Sequence, residues 1–185
     1  MRVTVCRSID ERGRSVRVYL PATTTVLRRL VDDGVLEGPH TAFAVTDALR
    51  RFYPVSDAGA DTEELEYAGL LAAARASLRL LDVDLMAARR RAVIAADVAD
   101  SAVSPMDDPH VEPGAVRVEG DIRLQDVASA HLDEADAEDD VRAAVVVVLE
   151  ADLGSDDAQF VVDQAEGHEL AWYASQEIGP LLDLL

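Results

Sequence analysis

The spacing of apolar positions changes several times along the chain, and each change predicts an element. In "VRVYLPATTTVLRRLVDDGVL", Val16, Val18 and Leu20 alternate with Arg17 and Tyr19. That is the period of a half-buried strand, and Pro21 is expected to stop it. Thr23 then offers a hydroxyl N-cap, Val26, Leu27, Leu30 and Val31 form one helical face, and Gly34 stands where a left-handed C-cap belongs. "AFAVTDALRRFYP" predicts a short strand over Phe43 to Val45, then a helix capped by Thr46 and ended before Pro54. Through "EELEYAGLLAAARASLRLLD", Leu71, Ala74, Leu78 and Leu81 recur at the spacing of a long buried helix. Asp61 and Glu64 form an Asp-x-x-Glu variant of the capping box, and Leu71 and Leu78 are both expected in the core.

"RRAVIAADV" is an uninterrupted apolar run of the kind a central strand shows, whereas "GAVRVEG" alternates like an edge or half-exposed strand. The Pro- and Asp-rich "ADSAVSPMDDPHVEPG" between them predicts a loop. A strand over Ala130 to Asp133 and a helix from about Asp136 to Asp152, closed by Gly154, come next. Ser155 caps a further helix carrying Phe160, Val161 and Ala165, and "HELAWYASQE" supplies a last strand, Leu170 to Ala174. Strands and helices mix throughout without a repeat. The expected class is α/β or layered α+β: a mixed sheet of about five or six short strands flanked by helices.

One domain is expected over residues 16–178, with a C-terminal tail at 179–185. Residues 1–15 admit two readings. "MRVTVCR" alternates and could pair with "VRVYLP" as a hairpin, or Val16 marks the native start, at a valine initiation codon, and the preceding residues are an upstream extension. The second is the plainer.

Composition narrows the function classes. All 17 basic residues are arginine, and the formal net charge is −19. Codon bias toward Ala, Arg, Asp, Val and Gly accounts for the residue choices, but the negative field still repels phosphate backbones, so nucleic acid is not an expected partner. A basic protein partner or a homo-oligomer is compatible with it. No apolar run is long enough for a bilayer-spanning helix, no secretory h-region opens the chain, and Cys6 is the single cysteine. These features predict a cytoplasmic protein with neither a disulfide nor a thiolate metal cage.

"VRVYLPATTTVLRRL", "AFAVTDALR", "EELEYAGLLAAARASLRLL", "RRAVIAADV", "VASAHLDEAD" and "HELAWYASQE" together resemble a family of small uncharacterised proteins from GC-rich bacteria, a domain of unknown function. The resemblance spans nearly everything after Val16. It implies that members begin with methionine at the position of Val16, and it attaches no activity to any residue.

The candidate chemistry must come from the residues themselves. His131-Leu-Asp133 on a strand puts both side chains on one face, and His168-Glu169 opens the last strand. Brought together, these four could hold a divalent metal for hydrolysis. Each spacing is also common by chance, and structural histidines are the simpler reading. Nothing indicates a cofactor. The Thr23-Thr24-Thr25 run could seat an anion at a helix N-terminus or serve as a cap. Arg75 and Arg79, one turn apart, could clamp an acidic group or pair within the chain. Trp172 and Tyr173 point to opposite faces, one toward the core and the other toward a surface or groove. Tyr173, Gln176 and Glu177 therefore join Arg75 and Arg79 as candidate binding residues. The preferred function is a non-catalytic interaction or small-ligand-binding module, and the alternative is metal-assisted hydrolysis.

Overall fold

The computed structural model describes residues 14–53, 60–106, 108 and 111–185, with the side chains at 60 and 61 outside that set. In chain order the elements are β1 (Ser15–Ala22), α1 (Thr24–Asp33), β2 (Val35–Leu36), β3 (His40–Phe43), α2 (Asp47–Phe52), α3 (Ala60–Val83), β4 (Ala92–Ala99), β5 (Val103–Pro105), β6 (Ala115–Val118), β7 (Ile122–Arg123), β8 (Val127–Leu132), α4 (Glu138–Asp152), α5 (Asp156–Glu166), β9 (Ala171–Ala174) and α6 (Ile178–Leu182). Seven strands form one sheet in the order β5-β6-β3-β1-β4-β8-β9, and β2 pairs with β7 in a small separate ladder. Every recorded pairing is antiparallel.

The long β1–β4 ladder runs from Ser15↔Ala99 to Ala22↔Ala92 and forms the middle of the sheet. Ala92 to Ala96 are buried without a break, which is why this strand reads as a continuous apolar run. Alternation along β1 then sorts the two faces. Val18, Leu20 and Ala22 join Leu27 and Leu30 of α1 and Ile178 and Leu182 of α6 in one core. Tyr19, Phe43, Val93 and Ala95 pack on the other face against Ala73 and Ala74 of α3. A third core joins Leu78 and Leu81 of α3 to Val141 and Val148 of α4 and Val162 of α5. The chain is thus a layered α/β domain.

The helix signals work as the sequence predicts. Thr23 accepts the Val26 amide at 3.2 Å, Thr46 the Leu49 amide at 3.1 Å and Ser155 the Ala158 amide at 3.3 Å. Gly34 ends α1 at φ 72°, a left-handed conformation that suits glycine, while its N–H bonds the Leu30 carbonyl. The threonine run does receive an anion, but the anion is internal. The Asp84 carboxylate accepts the Thr23 hydroxyl at 2.7 Å, the Thr25 hydroxyl at 3.3 Å and the amides of Met86 and Ala87. Burial pushes the Asp84 pKa up, yet these hydrogen bonds outweigh it and hold the group below its ordinary value.

Several boundaries differ from expectation for physical reasons. Pro21 does not stop β1, which continues to Ala22 with Pro21 opposite Val93. The β1–β3 register is recorded at Tyr19↔Phe43, so the far end of β1 has a partner on one side, where a missing N–H is tolerated. The segment expected to be a loop contains a 3₁₀ turn at Asp100–Ala102 and the edge strand β5, paired with β6. β6 is therefore one strand in from the edge, although Arg117 stays exposed as its alternation implies. The short strand expected over Phe43 to Val45 lies instead at His40–Phe43. The N-terminal hairpin partner and the Asp61 capping side chain fall outside the described residues.

Candidate functional site

Helix α3 meets different neighbours along its length, and this creates a cleft. Near its C-terminal end, Leu78 and Leu81 are sealed by the α4–α5 hairpin. Two and three turns before Leu78 the same helix carries Leu71 and Tyr67, and there Leu49, Phe52 and Tyr53 at α2 form the opposing wall. The walls stand apart, leaving a cleft of about 760 Å³ lined by Phe52, Tyr53, Tyr67, Leu71, Arg75 and Glu112, among others. Leu71, expected in the core with Leu78, is instead 38% exposed and lines the cleft, outside the core that α4 and α5 form around Leu78.

The apolar part of the cleft is aromatic. Phe52 and Tyr53 meet edge to face with ring centroids 4.9 Å apart, and Phe52, Tyr53 and Tyr67 are all about half exposed or more. In a chain with only 4% aromatic residues, three exposed rings around one cleft form a concentrated apolar surface.

Its polar part is built around Arg75. The guanidinium donates to Glu166 at 2.9 Å, to Gln159 at 2.9 Å and to Asp152 at 3.2 Å. Arg79, one turn on, binds Asp152 through two nitrogens at 2.6 and 2.9 Å. The two arginines share Asp152 and tie α3 to the hairpin. The hydrogen bond from Arg79, with its charge and that of Arg75, holds the Asp152 carboxyl below its ordinary pKa against the opposing effect of burial. Glu112 enters from the other side. Its Oε1 lies 3.6 Å from Arg79 and 3.9 Å from Arg75, while Oε2 is buried with no hydrogen-bond partner among the described residues. At the base, Arg91 is closed off by its own buried pair with Asp133.

The four residues considered for a metal are spent in separate contacts. Asp133 accepts two guanidinium nitrogens and the backbone N–H of Arg91, at 2.7–2.9 Å. His168 Nε2 lies 2.8 Å from Asp140 on α4, and the His168 carbonyl accepts from Arg91. His131 Nε2 lies 3.3 Å from the Ser129 hydroxyl, and Glu169 is exposed just before β9. Among the described residues, no group of three or more His, Cys, Asp or Glu side chains is placed to hold a metal ion. The H-x-D pattern reads here as a strand histidine followed by the carboxylate of an internal ion pair.

Of the remaining candidate binding residues, Tyr173 packs against the core on the α1 face of the sheet. Trp172 is opposite His131 on the other face and is 60% exposed. Glu177 accepts the Ala174 amide at 2.8 Å, capping the turn after β9, and Gln176 lies beside Ser175. These three are away from the cleft. The structure brings Arg75 into it and uses Arg79 to position Asp152.

A sequence profile describing a family of unknown function, DUF6912, matches residues 16–182. The chain belongs to this family. No curated protein and no solved structure matches the chain. The family description carries no activity, so the chemistry has to be read from the site. No helix among the described residues is long and apolar enough to cross a membrane.

His131 gives a pH-dependent test of the local structure. Burial pushes its pKa below the ordinary histidine value, and the charge of Arg17 acts in the same direction. The folded chain therefore holds the neutral ring. Its stabilising contribution is complete above the unfolded value of ~6.5 and declines as pH falls below it, because the unfolded chain takes up the proton first. His131→Gln is expected to flatten the fall in urea stability just below that pH. An unchanged slope would show that folding does not lower the His131 pKa.

Proposed function

We propose that this chain is a cytoplasmic, non-catalytic small-ligand-binding module, and that its ligand enters the cleft between α2 and α3. The observation that supports this reading is the cleft itself. Its volume falls within the ~300–1,000 Å³ of small-molecule sites, and its lining pairs aromatic surface with a few convergent polar groups. Arg75 is the candidate residue that serves this site. Its pairing with Glu166, Gln159 and Asp152 fixes the polar end before any ligand arrives, so that binding need not order it.

Filling the cleft tests the reading. Leu71 is partly exposed, so Leu71→Trp adds an indole to the cleft without displacing a sealed core side chain. Small aromatic fragments are expected to bind the wild type, as detected by ligand-observed NMR, and to lose that binding in Leu71→Trp while thermal stability is kept. Equal fragment binding by both proteins would remove the cleft from consideration.

A further inference from the structure

We infer that the cleft between α2 and α3 selects a small organic cation with an apolar body, an inference that rests on the ligand-binding reading above. The sign follows from what the internal pairs leave over. Arg91 is fully neutralised by Asp133, with both side chains buried. Arg75 is held by Glu166 and Asp152, and Arg79 by Asp152. Among the described residues, no cation lining the cleft is left to receive an anionic ligand, and an anion would have to displace a carboxylate from Arg75.

The carboxylates are not used up in the same way. Glu112 Oε2 is buried without a hydrogen-bond partner among the described residues, and Glu112 Oε1 lies at 3.6 Å or more from the two arginines, too far for a full hydrogen bond. Glu64, on the first turns of α3, adds an exposed carboxylate to the same lining. The Glu112 side chain lines the cleft and is partly exposed, and its loosely held Oε1 can accept a donor from a bound ligand. An ammonium or guanidinium group supplies that donor together with the matching charge. The faces of Phe52, Tyr53 and Tyr67 favour a cation as well, through the negative potential of the ring faces, and they accept an apolar body alongside it.

Three probes of one shape and different charge test this: phenethylammonium, 2-phenylethanol and phenylacetate, each titrated into the full chain and followed by amide chemical shifts. Phenethylammonium is expected to bind about tenfold more tightly than 2-phenylethanol, as a charged hydrogen bond and a cation–π contact imply, with phenylacetate weakest. Added salt should weaken the ammonium alone. Glu112→Gln should cost phenethylammonium about tenfold and leave 2-phenylethanol unchanged. Binding that ignores charge, or favours phenylacetate, overturns the cation inference while leaving the cleft a ligand site. A cation preference undiminished in Glu112→Gln overturns the role given to that carboxylate. Failure of all three probes to bind overturns the ligand-site reading itself.

Discussion

Arg91→Met is expected to destabilise the fold by about 3–5 kcal/mol, the usual result of removing one partner from a buried ion pair. Arg91 and Asp133 are both buried and share two guanidinium hydrogen bonds of 2.9 and 2.7 Å. The Asp133 carboxylate also accepts the Arg91 backbone N–H, and the guanidinium donates to the His168 carbonyl. One side chain therefore anchors the end of β8 and the turn before β9 to the start of β4. Methionine keeps much of the volume but leaves a buried carboxylate with no counter-charge. Changing both partners, as in Arg91→Met with Asp133→Leu, should recover a large part of the loss, because no charge is then stranded. Urea unfolding of the three variants checks this, and a single change costing under ~1 kcal/mol would be far below the range for a buried pair.

Leu78→Ala is expected to cost about 2–5 kcal/mol, because the side chain is fully buried where α3 meets α4 and α5. Leu71→Ala, two turns earlier, provides the contrast. Leu71 is 38% exposed at the cleft, so its truncation removes little apolar area from the folded interior and should cost under about 1 kcal/mol. Equal losses for the two leucines, measured by the same unfolding experiment, would mean that the cleft is closed in solution.

The comparison of these leucines shows where the sequence is legible and where it stops. Caps were readable because Thr23, Thr46 and Ser155 act on amides three residues away. The central strand was readable because burial on both faces leaves an apolar run. Helical periodicity, in contrast, reports that a face is apolar but not what covers it. Leu71 and Leu78 share that periodicity, yet Leu78 is covered by the α4–α5 hairpin and Leu71 lines the cleft. The strand β5 was hidden for a related reason: a three-residue edge strand rich in Ser and Pro has a loop composition, and its pairing with β6 is a long-range event.

The site was legible in part. Arg75 was among the candidate residues, yet its partners Asp152, Gln159 and Glu166 lie more than 70 positions away, beyond any local pattern. Tyr67, Leu71 and Arg75 do recur every four residues on α3, which could have drawn attention to that stripe. Glu112 and the α2 aromatics carried no such signal. The H-x-D motif failed in the other direction, since the carboxylate that could have met a metal is the counter-ion of Arg91.

The most direct test of the central claim is an amide shift map of the isotopically labelled full chain with phenethylammonium added. The account predicts that the amides of Ala68, Leu71, Ala72 and Glu112, around the cleft, move together and saturate, while those of His131 and Trp172 on the β8–β9 edge stay fixed. Shifts concentrated on β8 and β9, or none that saturate anywhere, would contradict it.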